Sequence, residues 1–239
     1  MHIPDMMIPG ASIVCPATGA LAAVGLAGVA YAAYKTKVKP AVALFAGVTA
    51  LIFAAQMANF PIFEGTSGHL LGATLAVALL GSAFGMMAMS SVVIVQCLAL
   101  GDGGLTVLGA NLLNIALLAS LPAVLVRECF NAKRSLYVGA AFLSTLVAAT
   151  ACAVQLAIAG VASLSEVLPA MLYYHVLIAV AEAGLTLGLF VVLAQGMSRV
   201  APQRAWMVPL AVAAAVMLLV PFAATTPDGL ESVAAALGF

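Results

Sequence analysis

Residues 69–100 read "HLLGATLAVALLGSAFGMMAMSSVVIVQCLAL", an apolar run without a single charged side chain. About 20 apolar residues make one membrane-spanning helix. The run is therefore either one long tilted helix or a short helix followed by a full one, broken at the glycine-bounded "GSAFG" (81–85). Charge decides between them, because basic residues concentrate on the cytoplasmic side of a membrane. The other apolar segments fall at about 11–34, 40–57, 105–126, 136–160, 168–197 and 206–224. With a break at 81–85 and an outside N-terminus, Lys35, Lys37 and Lys39 follow the first segment inward. Arg127, Lys133 and Arg134 then follow the fifth, and Arg199 and Arg204 the seventh. The outer stretches carry Asp5, Glu64, Asp102, Glu166, Asp228 and Glu231. Without the break, the last five basic residues would move to the opposite face from the first three. The expectation is an all-α membrane protein of about 7–8 transmembrane helices, the third one short, with both termini outside.

Composition points the same way. Of 239 residues, 65% are hydrophobic and 7% charged, with mean hydropathy +1.23; soluble domains carry about 25% charged residues. The apolar runs lack strict alternation, so they read as helices, not barrel strands. A net charge of zero gives no reason to expect nucleic acid. Cys15, Cys97, Cys129 and Cys152 show no C-x-x-C spacing and read as small buried side chains. The cluster Met86, Met87, Met89 reads as packing, with a thioether path for a soft ion as the alternative.

A short third helix matters because non-helical backbone at membrane depth is tolerated only inside protein or along a cavity. The stretch leading into it, "QMANFPIFEGTSGHLLG" (56–72), is broken by Pro61 and Gly65. It offers Ser67 as an expected helix N-cap and His69 just inside the helix. The chain opens "MHIPDMMIPG", with no basic residue of the kind that starts a signal peptide. It is expected to keep Met1, and on this topology His2 and His69 share one side of the membrane. A terminal X-His unit offers three nitrogens in sequence: the α-amine, the residue-2 amide and its imidazole. One further imidazole, such as His69, would complete a nitrogen square, which suits Ni(II) or Cu(II) better than tetrahedral Zn(II). The plainer reading, two solvated or hydrogen-bonded histidines, stays open.

Other polar residues need partners. His175 and Glu182 lie seven residues apart on one helix face, either as a hydrogen-bonded interhelical pair or as functional groups. Asp102 sits in a tight Asp-Gly-Gly turn, and Gln96 ends the helix before it. Asn111 and Asn114 share a face, either bonding across helices or orienting the ligands of a buried site. Asn59, Ser67, Asp102, Asn111, Asn114, His175 and Glu182 are thus the groups that could surround Met1, His2 and His69.

Together "MHIPD", "NFPIFEGTSGHLLG", "QCLALGDGGLTVLGANLLN" and "HVLIAVAEAGLT" resemble the substrate-binding S-component of nickel/cobalt energy-coupling-factor transporters, in order across residues 1–197. The resemblance implies that Ni(II) or Co(II) is captured from outside by the Met1 amine, the His2 amide and imidazole, and His69. The "IPD" form looks more like the nickel branch, with cobalt uptake for cobalamin synthesis as the alternative. Met6 stands where the family has glycine, which leaves the path of the following loop open. The tail "WMVPLAVAAAVMLLVPFAATTPDGLES" (206–232) looks like the first helix and PDGLE motif of the family's small auxiliary subunit, in shortened form. The implied organisation is a metal-binding membrane domain over 1–199 and an extra helix with a PDGLE tail over 200–239. The implied setting is a prokaryotic cytoplasmic membrane. The implied partners are a transmembrane coupling protein, cytoplasmic ATPase subunits and the auxiliary subunit, since no G-x-x-x-x-G-K-[ST] loop occurs here. A membrane enzyme built on His175 and Glu182, or a proton-driven carrier using Glu182, are the competing classes.

Overall fold

The computed structural model describes residues 2–63 and 65–239. Helices α1 (Val14–Lys35) and α2 (Val42–Met57) are followed by a small antiparallel hairpin, β1 (Phe60–Phe63) with β2 (Thr66–Gly68). Helix α3 (Ala73–Leu80) comes next, then α4 (Ser82–Leu100) and α5 (Leu108–Cys129). The bundle continues with α6 (Arg134–Ile158), α7 (Leu164–Ser198) and α8 (Met207–Met217), and ends with α9 (Gly229–Leu237). Among the described residues, six helical stretches are long and apolar enough to cross a membrane. Helix α2, at 16 residues, falls short by length, and α3 has 8.

The apolar run 69–100 is broken where the glycine sits. Gly81 has φ 90° and ψ 164°, a conformation closed to side-chain-bearing residues, and reverses the chain between α3 and α4. The two helices then pack so closely that a Cβ on Gly85 would lie 2.6 Å from the Val77 backbone. Gly81 lies beside the Arg127 guanidinium, and the Ser82 hydroxyl donates to Glu128. Thr36 and Val38 border the same recess, while Ala132 and Met197 border another recess together. The three basic stretches thus gather at one end, as the charge distribution requires.

At the other end, α3 begins in the middle of protein. Ala73 through Val77 are all fully buried, and Thr74 shares a hydroxyl–hydroxyl bond of 3.0 Å with Ser144 of α6. Residues 69–72 are non-helical, and Gly72, at φ 81°, forms the N-cap position. The free amides of this start are taken by Glu182 of α7. Its carboxylate accepts from Leu71 N at 2.6 Å and Gly72 N at 3.0 Å, while Gln56 Nε2 donates to Leu71 O at 2.7 Å. A helix starting at membrane depth leaves its first N–H groups unsatisfied unless protein supplies acceptors. Here a buried carboxylate at the positive end of the helix does so.

This corrects two expectations. Ser67 is not the N-cap of α3: it lies in β2, and both its amide and its hydroxyl turn to the C-terminal segment. His69 lies before α3 and not inside it. Glu182 bonds across to the Leu71 and Gly72 amides, and His175 to Met171 of its own helix.

Met6, where the resembling family has glycine, has φ 70° and is 92% exposed. The loop keeps the left-handed turn that glycine would take freely, at about 1 kcal/mol of strain. Met6→Gly is therefore expected to stabilise the protein by up to about 1 kcal/mol, read as a higher unfolding midpoint in detergent.

Candidate metal centre

The N-terminal stretch is threaded into the protein and held there by backbone bonding. Asn111 clamps Ile3 from both sides: Ile3 N donates to Asn111 Oδ1 at 2.8 Å, and Asn111 Nδ2 donates to Ile3 O at 3.0 Å. Gly104 N adds a third bond to Ile3 O at 2.8 Å. Asp5 accepts from the Thr106 hydroxyl at 2.6 Å and from the Thr106 and Leu105 amides, which hold its carboxyl below the usual range. Only glycine fits at 103, where a Cβ would sit 2.8 Å from Asn111 Nδ2 and 3.4 Å from His2 Cβ, and where φ is 86°. The "DGGLTVLGAN" stretch is thus the receptacle for "MHIPD".

His2 is buried in this receptacle, its ring 6.0 Å from that of His69 and within 21° of parallel. An ion bonded to a ring nitrogen lies in the ring plane about 3 Å from the ring centre, so the two rings come within reach of one ion once they turn and draw toward it. His69 Nδ1 donates to Leu70 O at 3.0 Å, which leaves Nε2 with its lone pair. Burial lowers the His2 pKa from 6.5 to about 3. Burial, helped by the proximity of His2, lowers that of His69 to about 4. Both rings are therefore neutral at physiological pH, the form that binds metal. Asp102 Oδ1 lies 3.4 Å from His2 Nδ1. Gln96, in a widened π-helical turn at the end of α4, is buried. Its amide stands within reach of the His2 ring.

His69 lines a cavity of about 20 Å³ with Ser67, Thr145, His175, Asp228 and Gly229, room for little more than one water molecule. His175 donates from Nδ1 to Met171 O at 2.7 Å, and its Nε2 is unpartnered among the described residues. A third imidazole lone pair therefore borders the cavity.

Of the other expected residues, Asn114 exchanges two bonds with Gln155 of α6 (2.8 and 2.7 Å), a packing contact between helices. Asn59 borders an apolar groove, and its carbonyl accepts from Ala224 N at 2.8 Å. Met1 lies outside the described residues, so its amine is not placed. Among the described residues, no three His, Cys, Asp or Glu side chains converge to hold an ion. Sequence reasoning missed the roles of Gln56 and Asp5, whose partners lie elsewhere in the chain, and Thr145, which lines the cavity.

Apolar spans around a buried, imidazole-bordered cavity define a membrane protein that handles an ion, and comparison with known proteins makes that class a metal-uptake component. The CbiM family, described as the cobalt uptake substrate-specific transmembrane region, matches over residues 2–204, and the chain belongs to it. Its relatives include the "Putative fused nickel transport protein NikMN" of Archaeoglobus fulgidus. That protein is 33% identical over 251 residues, covering 100% of this chain and 83% of its own length. The "Probable fused nickel transport protein LarMN" of Lactiplantibacillus plantarum is 32% identical, covering 87% and 68%. A crystal structure of a transition metal transporter superposes with a TM-score of 0.70 at 28% identity, covering 82% of this chain and 92% of that one. The chain is accordingly a multi-pass membrane transport subunit, not an enzyme.

Proposed function

We propose that this chain captures Ni(II) in a square of four nitrogens: the Met1 amine, the His2 amide and imidazole, and the His69 imidazole. The observation that carries the reading is the stacking of His2 on His69 beside the cavity, with the N-terminal stretch clamped at Ile3 by Asn111. Fused chelation by residue 2 uses Nδ1, which closes a six-membered ring with its own amide nitrogen. Since Nδ1 faces Asp102 at 3.4 Å, the imidazole turns about Cβ–Cγ as the chelate forms. Two relatives carry nickel in their names and the planar donor set suits nickel. The family description names cobalt, and Co(II) uptake is the second reading of the same site.

Residues 1–199 act on this view as the metal-binding unit, and 200–239 as an added helix and tail. The site faces outward from a prokaryotic cytoplasmic membrane. Transport is driven by ATPase subunits acting through a transmembrane coupling protein of the energy-coupling-factor type, with the small auxiliary subunit as a further partner.

His2→Ala and His69→Ala are each expected to weaken nickel binding by more than about 100-fold, beyond what groups that merely orient a ligand cost. Equilibrium dialysis against a competing chelator, on protein with an unextended N-terminus, reads this; wild-type affinity in either variant would sink the site. His175→Ala should cost less.

Acid should weaken binding with a particular slope. Chelation releases a proton from the amide and, below about pH 8, one from the amine. The two imidazoles, with pKa values held at about 3 and about 4, add none above pH 4. Log affinity is therefore expected to fall by about two for each pH unit from 7 to 5, without steepening near 6.5. A slope nearing four below that pH would show imidazoles that titrate normally.

A further inference from the structure

The C-terminal segment, whose helix and PDGLE motif resemble part of an auxiliary subunit in sequence, lies across the site. Its ties run to the strand and loop that carry His69. Ser67 N donates to Pro227 O at 2.8 Å, and Ser67 Oγ donates to Thr226 O at 2.7 Å. The Thr66 and Ser232 hydroxyls meet at 2.9 Å, and Ala224 N donates to Asn59 O. Helix α9 buries Leu230 and Val233 completely. Its N-terminus is set by a capping box: Asp228 Oδ1 accepts from Leu230 N and Glu231 N, and Glu231 returns a bond to Asp228 N. Gly229 lies so close to His175 that a Cβ there would stand 2.7 Å from Cε1 and 3.0 Å from Nε2. The turn is therefore fitted to the cavity wall and is not merely draped over it.

Charge gives this fit a purpose. Two neutral imidazoles, a neutral amine and one deprotonated amide leave a bound divalent ion with one uncompensated positive charge, which is costly away from water. Asp102, 3.4 Å from the His2 ring, is 42% exposed and screened by solvent, whereas Asp228 is the one acid among the described residues lining the cavity. We propose that the Thr226–Gly229 turn is the closing wall of the ion site: it parts from Ser67 for an ion to enter or leave, and Asp228 carries the balancing charge. This rests on the nickel or cobalt reading of the site above.

The test is a reversible lock on the full chain with an unextended N-terminus. Thr66→Cys with Ser232→Cys replaces two oxygens already 2.9 Å apart, a spacing compatible with a disulfide. The double variant is loaded with radioactive nickel(II) while reduced, then oxidised, and release into excess chelator is timed; wild type treated with the same oxidant is the control. Release is expected to slow by at least about 10-fold on oxidation and to recover on reduction. Ser67→Ala, which deletes the hydroxyl bond to Thr226, is expected to speed release by about 5- to 10-fold. Asp228→Asn keeps the helix cap, since Asn caps as well as Asp, and is expected to lower affinity about 10-fold with the nickel absorption bands unmoved. Equal release rates in the oxidised and reduced states, or unchanged rates in Ser67→Ala, would overturn the closing wall while leaving the nitrogen site intact. Wild-type affinity in Asp228→Asn would overturn the role of the carboxylate. Failure of the unmodified chain to take up nickel would instead overturn the site, and this inference with it.

Discussion

Two residues added ahead of Met1 are expected to abolish nickel binding at this site, a loss of at least about 1,000-fold or about 4 kcal/mol. The extension carries the amine away and leaves the His2 amide as one interior peptide nitrogen among many, so that only two imidazoles remain. The number added matters. One residue would make His2 the third in the chain, where an amine, two amides and that imidazole close a nitrogen square unaided. A one-residue extension is therefore expected to bind nickel still, but without sensitivity to His69→Ala. Metal content of purified protein carrying zero, one or two added residues, each with and without His69, separates the cases. Unchanged affinity with two added residues, still dependent on His69, would exclude the terminal amine as a donor.

The second large effect is expected at Glu182. Both of its oxygens accept from the amides of Leu71 and Gly72 just ahead of α3, and Leu71 and Glu182 are buried. Glu182→Ala leaves two buried N–H groups without acceptors, each costing about 1–3 kcal/mol. A destabilisation of about 4 kcal/mol is expected in detergent unfolding, along with weaker nickel binding, because His69 lies three residues before the Gly72 cap. Glu182→Gln keeps one acceptor but turns an NH2 toward the second amide, and should fall between. A proton-driven carrier makes a different forecast: Glu182→Gln would then stop uptake while leaving stability and metal binding intact.

The break in residues 69–100 was legible because glycine and charge distribution are both local signals, and both agreed. The meeting of His2 and His69 followed from topology once the basic residues were placed at one end. What faced Glu182 was not legible: helical periodicity says which face a residue occupies, not which backbone lies opposite. Ser67 misled for a related reason. A Thr-Ser-Gly before an apolar run has the form of a helix cap, but the chain pairs those residues with Phe60–Phe63 and with carbonyls some 160 residues away. Asn111 and Asn114 look alike in sequence, yet one grips the N-terminal stretch at Ile3 and the other a neighbouring helix. The widened turn over Leu112–Leu117 separates their directions.

The shortness of α3 has a dielectric consequence. Its 8 residues rise about 12 Å, under half of a hydrocarbon layer about 30 Å thick. The remaining depth on that side is occupied by amide-rich loop, imidazoles and the carboxylate of Asp228, where a full-length helix would have presented only methyl and methylene groups. Along this column the insulating slab between the cavity and the basic end of the molecule is thinned to roughly the length of α3. The self-energy barrier to moving a charge across it shrinks accordingly.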